Sequence, residues 1–172
     1  MIVGPPAEAS PRRHPIGPIR PPRPVAISLP GVGVSARVGS VGAAKGHIEL
    51  PPVTSAGWFK GGPRPGEPGR TVIIGHVDSK KGPAVFADLP KARRGDRVLV
   101  TDAGGRVRRY RVVSAISVPK KYFPVAQVFA RTPASTLALI TCGGAFDRAA
   151  RSYLDNVVVY ADLTQAEPAG PA

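Results

Sequence analysis

Cysteine is almost absent from this chain: Cys142 is the only one in 172 residues. That excludes an intramolecular disulfide and any zinc site built on several thiolates, so the fold must be held by its core. Histidine is scarce too, at positions 14, 47 and 76, too scattered to suggest a metal cluster. Acidic residues number 11 against 24 Lys plus Arg, a formal charge of +13, and they gather in no loop that would suggest calcium. No cofactor is expected. Aromatic residues make up 6% and are spread along the chain, without a recognition helix or paired aromatics on a sheet. Nucleic acid is therefore not expected as a partner, and the basic balance points instead to an anionic setting such as cell-wall polymer or anionic lipid. No run of 18 apolar residues is present, so no transmembrane helix is predicted. Met1–Ile2–Val3–Gly4 lacks the basic start and apolar centre of a signal peptide.

What the chain does have is proline at its start and β-branched residues after it. Residues 1–24 carry eight prolines and the arginines 12, 13, 20 and 23, a composition that favours extended polyproline conformations over a core. They are read as a disordered, basic linker. Residues 25–164 read as one domain and 165–172 as a tail.

Within the domain, 25–29 and 32–38 form two strands joined by the Pro30–Gly31 turn, and His47–Leu50 is a third, stopped by Pro51–Pro52. Residues 57–69 are rich enough in Gly and Pro to read as a loop that opens on Trp58–Phe59. Further strands are expected at 70–75, 95–100, 106–118, 136–142 and 156–161, with short helical turns near 82–89 and 120–129. About eight short strands and no long amphipathic helix predict an all-β fold, a closed eight-stranded barrel.

Two strand ends carry reactive side chains. Ile73–Ile74–Gly75 delivers His76, and Leu139–Ile140–Thr141 delivers Cys142 ahead of Gly143–Gly144. A cysteine nucleophile needs its thiolate form and a neighbouring proton carrier, which histidine supplies near neutral pH. The competing reading of Cys142 is a small buried core residue, and that of His76 a hydrogen-bonded structural histidine. A tetrahedral intermediate also needs a donor or positive charge for its oxyanion. Arg148 and Arg151 follow Cys142 in the loop before the last strand, although either could equally be a solvated surface charge. Thr141 could donate to a substrate carbonyl or merely favour the strand. Asp78 could orient His76 or cap a loop, and it is left out of the catalytic set.

Val72–Ile73–Ile74–Gly75–His76, the Thr136–Cys142 strand and a downstream arginine before a Val-rich strand resemble the sortases, cysteine transpeptidases of Gram-positive cell surfaces. Gly57–Trp58–Phe59, Pro65–Gly66–Glu67, Gly75–His76–Val77–Asp78–Ser79, Cys142–Gly143–Gly144–Ala145–Phe146–Asp147 and Ser152–Tyr153–Leu154–Asp155–Asn156–Val157 look most like the actinobacterial class F group.

The resemblance implies an eight-stranded sortase-type barrel and attack by Cys142 on the Thr–Gly bond of a Leu-Pro-x-Thr-Gly-type sorting signal. It further implies a thioacyl-enzyme and transfer of the acyl group to an amine of a peptidoglycan precursor or a pilin lysine. Carried over, Cys142 is the nucleophile, His76 the general acid and base, and Arg151 the oxyanion partner, with Arg148 in reserve. Better-known sortases hold that arginine on the last strand, where this chain has Asp155–Asn156; Asn156 could contribute a hydrogen bond there. The family also implies an extracytoplasmic monomer whose membrane association depends on an N-terminal anchor, a segment not found in this sequence. The alternatives are an L,D-transpeptidase, whose Ser-x-Gly-Cys-type context is not matched, and a catalytically silent basic barrel that binds wall polymer or surface proteins.

Overall fold

A computed structural model describes residues 19–166. The linker expected over 1–24 lies outside the described residues up to position 18, as does the tail from 167 onward. Eight strands close into a barrel: β1 (Pro24–Leu29), β2 (Val34–Val41), β3 (Ala56–Phe59), β4 (Gly69–Ile74), β5 (Arg97–Asp102), β6 (Val107–Pro119), β7 (Ser135–Asp147) and β8 (Ser152–Ala166). Their order around the barrel is β1-β2-β3-β4-β7-β8-β6-β5, with β5 returning to β1. All neighbours are antiparallel except β2 with β3 and β4 with β7.

Strand alternation explains two separate apolar clusters. Ile73 of β4, Leu137 and Leu139 of β7, and Val157 and Val159 of β8 face inward with Trp58, Phe86 and Tyr110 to fill the barrel. Their alternates Val72, Ile74, Ala138, Ile140, Val158 and Tyr160 form a second cluster on the outer face of β4, β7 and β8. The segment between β6 and β7 covers that outer cluster. It comprises a 3-10 turn at Lys120–Tyr122 and a single helical turn, α1 (Val125–Val128), and contributes Phe123, Val128 and Phe129. Arg70 props this cover from below: its guanidinium stacks 4.7 Å over Tyr160, donates to Thr136 Oγ1 at 3.2 Å and reaches the Gln127 carbonyl.

Two differences from the sequence reading bear on the site. Residues 57–59, read as the opening of a loop, belong to the barrel strand Ala56–Phe59, and Trp58 is buried with its indole N–H donating to Pro63 O at 3.0 Å. Gly57 is there for close approach, since a Cβ would come 2.7 Å from Val41 Cγ1 of the parallel neighbour β2. His47–Ile48, read as a barrel strand, instead pairs with Ala43–Ala44 in a small hairpin outside the barrel. The second difference is that β7 continues beyond Cys142 to Asp147, and β8 begins at Ser152. The loop expected between them shrinks to a tight turn at the tip of a long hairpin.

The residues just before β1 are tied to the barrel. Arg20 bonds Glu67 through two nitrogens at 2.7 and 2.9 Å, Arg64 donates to Pro21 O at 2.8 Å, and Ala103 N donates to Arg23 O at 2.9 Å.

Candidate active site

The parallel pairing of β4 with β7 sets Ile74 opposite Ile140. Gly75 N donates to Ile140 O at 3.0 Å, which carries the ladder one step further. Two residues beyond that pair stand His76, just past the end of β4, and Cys142, which alternation sets on the outer face of β7. Cys142 pairs across the hairpin with Asn156, and Asn156 pairs on its other side with Val118 of β6. Directly opposed residues of this kind hold their Cβ atoms about 4.5–5.5 Å apart. His76, Cys142 and Asn156 thus share one end of the sheet's outer face.

They line a cavity of about 760 Å³. Ile74 and Ile140 floor it, Phe123, Val125 and Phe129 roof it, and the 43–48 hairpin with Leu50 and Pro51 forms the rim. Thr141 contributes to the wall as well, but alternation sets its side chain on the inward face of Leu137 and Leu139. There its hydroxyl is buried and finds no protein partner. A second cleft of about 960 Å³ lies on the far side of the Phe59–Phe129 edge pair and includes Arg20, Glu67, Arg70 and Arg131. It holds neither Cys142 nor His76.

The histidine is oriented by the loop after the 43–48 hairpin. His76 Nε2 lies 2.9 Å from Pro51 O, and because a carbonyl only accepts, Nε2 must carry the hydrogen. In the neutral ring Nδ1 is then the free base. The His76 backbone is fixed from the other side, where Phe86 N donates to His76 O at 3.0 Å. Cys142 is partly exposed at the cavity wall, as a nucleophile must be and a core thiol is not. Beyond it, Gly143 lies against Val157, where a Cβ would fall 2.6 Å from Cγ2. Gly144 adopts φ +73 at a bulge in the ladder.

Asp78 serves a different partner from His76: its carboxylate accepts a hydrogen bond from the Tyr153 hydroxyl. That bond, followed by burial and by the negative charges of Asp78 and of the Cys142 thiolate, pushes the Tyr153 phenol up from its ordinary value. Tyr153 therefore lies within electrostatic range of the sulfur, a neighbour the sequence reading passed over. Its ring also packs edge-on against Phe146 at 5.1 Å.

The structure brings neither arginine into the cavity wall. Arg148 and Arg151 occupy the 148–151 turn, both exposed, with Arg151 at φ +50. Extension of the hairpin past Cys142 is what carries them away. On the outer face of β8, the residue next to Asn156 towards the tip is Leu154, 52% exposed. Among the described residues the cavity wall has no Asp or Glu, and its basic groups are His47, His76 and Lys120. Among the described residues, no three His, Cys, Asp or Glu side chains group as a metal site.

A sortase-domain family model matches residues 27–164. Among solved structures, Listeria monocytogenes sortase A is similar at 20% identity and TM-score 0.64, covering 83% of this chain and 87% of that one. Streptococcus pneumoniae sortase C is similar at 19% and 0.65, covering 85% and 71%. Actinomyces oris sortase C-1 is similar at 18% and 0.66, covering 81% and 73%. At these identities the structures share a fold with this chain. No curated protein matches it.

Proposed function

The chain belongs to the sortase family of cysteine transpeptidases, and from that premise we propose that it cleaves a Leu-Pro-x-Thr-Gly-type sorting signal between Thr and Gly and passes the acyl group to an amine. The observation that carries this reading is the β4–β7 register, which sets His76, just past the end of β4, beside Cys142 of β7 in the wall of one cavity.

In this mechanism the Cys142 thiolate attacks the threonine carbonyl, forming the S–C bond. His76 gives a proton to the departing glycine nitrogen as the C–N bond breaks, leaving the acyl group on sulfur. The incoming amine then attacks the thioester, returns a proton to His76 and releases the sulfur. The Pro51 carbonyl holds the imidazole in the orientation that leaves Nδ1 free for this exchange. Asn156, opposite Cys142 in the ladder, is placed to hydrogen-bond the peptide, and the apolar roof of Phe123, Val125 and Phe129 suits the Leu-Pro end of the signal. The acceptor is a peptidoglycan precursor or a pilin lysine at the surface of a Gram-positive cell. The motifs around Cys142 and Tyr153 favour a class F, actinobacterial member.

The test is cleavage of a quenched Leu-Pro-Ala-Thr-Gly peptide, with and without an added amine, by the wild type, Cys142→Ala and His76→Ala. Both variants should lose cleavage. Equal rates for wild type and Cys142→Ala would sink the mechanism and favour a silent barrel that binds wall polymer.

A further inference from the structure

Acyl transfer at Cys142 develops negative charge on the substrate oxygen, and stabilising it needs a donor aimed into the cavity. Among the described residues the cavity wall contains a single lysine or arginine, and it is Lys120. The β-sheet register brings it there. Val118 pairs with Asn156, which pairs with Cys142; Lys120 comes two residues after Val118, just past the last paired position, Pro119 opposite Asp155. Continuing the strand repeat past Pro119, with strands about 4.8 Å apart and about 3.3 Å per residue, sets its Cα roughly 12 Å from that of Cys142. A flexible four-carbon stem on one side and a carbonyl seated on the sulfur at the other close that gap.

Among the described residues the ammonium is locked in no ion pair. Its bond is to a neutral group, Ser152 Oγ at 2.8 Å. The ion pairs among the described residues lie elsewhere, at Arg20–Glu67, Lys91–Asp88 and Arg108–Asp102. Lys120 also begins the 3-10 turn that leads into the roof of the cavity, so a peptide under that roof passes beside it.

We propose that Lys120 is the active-site cation of this enzyme, leaving Ser152 when a peptide is seated and donating to the acyl oxygen of the tetrahedral adduct. As the S–C bond forms, the carbonyl π pair moves onto oxygen and accepts from Nζ–H. When the adduct collapses, the pair returns, the C–N bond breaks and the amine leaves with the His76 proton. Lys120 keeps its own proton throughout. The proposal rests on the transpeptidase reading above.

Lys120→Met keeps the stem and removes the charge; Lys120→Arg keeps the charge; Arg148→Ala and Arg151→Ala test the expected arginines. Two quantities are measured: steady-state cleavage of the Leu-Pro-Ala-Thr-Gly peptide, and the ratio of Cys142 alkylation rates by iodoacetate and iodoacetamide, which needs no peptide. Lys120→Met should lose about 10²–10³ in kcat, on the order of an oxyanion-donor deletion, with KM changed little. Its iodoacetate-to-iodoacetamide ratio should fall by about threefold or more as the attraction for the anionic reagent is lost. Lys120→Arg should restore part of both, and the two arginine variants should match the wild type. The proposal is overturned if Lys120→Met leaves either kcat or the ratio unchanged, or if Arg148→Ala or Arg151→Ala produces the large loss. A wild type that leaves the peptide uncut sinks the transpeptidase reading instead. The alkylation ratio then decides separately whether Lys120 charges the surroundings of the thiol, an unchanged ratio overturning its placement.

Discussion

Gly75→Ala asks whether the seat of His76 is set by the packing beneath it. An ideal Cβ at position 75 would lie 2.6 Å from Phe86 Cδ2, 2.8 Å from Cγ and 3.0 Å from Cε2. Non-bonded carbons settle at about 3.5–4.0 Å, so roughly 1 Å must be found. The backbone of Gly75 is not among the positive-φ glycines, so the cost is steric alone. Phe86 is fully buried in the barrel core, and its N–H holds the His76 carbonyl at 3.0 Å. Either the ring retreats into a packed interior or the end of β4 moves outward and takes His76 with it.

Overpacking of this kind costs about 1–3 kcal/mol. At about 2–4 °C per kcal/mol for a domain of this size, the Tm should drop by roughly 2–12 °C. Misplacement of a catalytic group by about 1 Å costs on the order of 10²-fold in rate. Adding Phe86→Leu removes most of the ring that the new methyl meets, so the double variant should regain part of the activity although Phe86→Leu alone destabilises the core. Thermal denaturation and kcat/KM on the sorting peptide read both effects. Wild-type Tm and rate in Gly75→Ala, or a double variant no more active than Gly75→Ala, would refute the reasoning.

Two further outcomes concern the barrel itself. Asp102 accepts from Arg108 at 2.6 Å and, through its other oxygen, from Gly104 N and Arg106 N at 2.9 and 3.0 Å, with the two side chains 1% and 4% exposed. Asp102→Asn strands a buried guanidinium and should cost about 3–5 kcal/mol in urea denaturation. Combining it with Arg108→Met should cost less than the sum of the single changes, and strict additivity would refute that coupling. The carboxyl of Glu67 is held below its ordinary value of 4.5, chiefly by the hydrogen bond from Arg20 and against the effect of burial. A lowered folded pKa means stabilisation that is complete above the unfolded value and lost as pH falls through the folded one. The Tm gap between wild type and Arg20→Ala, at most a few degrees, should therefore be smaller at pH 3 than at pH 7; a gap independent of pH would count against the pair.

The barrel was legible in the sequence because β-branched runs ending at Gly or Pro mark strands without help from the rest of the chain. The number of barrel strands came out right with one member exchanged. His47–Ile48 has the composition of a strand but lies outside the barrel, whereas Ala56–Phe59 was hidden by Gly57. Glycine there answers to the neighbouring Val41 side chain rather than to a turn, and composition does not distinguish those two uses. His76 could be found as a strand exit and Cys142 as the close of an apolar run, although β7 continues past it. Their meeting could not, because it depends on a parallel pairing between strands separated in the chain by two other barrel strands, β5 and β6.

The glycines after Cys142 misled in the same way as Gly57. Gly143 is small because Val157 crowds it, and the strand runs on to Asp147, leaving Arg148 and Arg151 at the hairpin tip. Lys120 carried no local signal. It is reached from Cys142 only by crossing two strands, and nothing short of the register reveals that route.

The parallel ladder between β4 and β7 has an evolutionary corollary. A thiol and an imidazole joined by a loop would shift with every insertion in that loop. Here their spacing is inherited from the backbone repeat of two strands that no turn connects directly. The small hairpin in which Asp78–Ser79 pairs with Gly82–Pro83, the β5–β6 turn and the roof beyond Lys120 can lengthen, shorten or change composition without altering that spacing. Such an arrangement separates the parts that choose a substrate from the parts that cut it, and lets lineages alter the first while keeping the second.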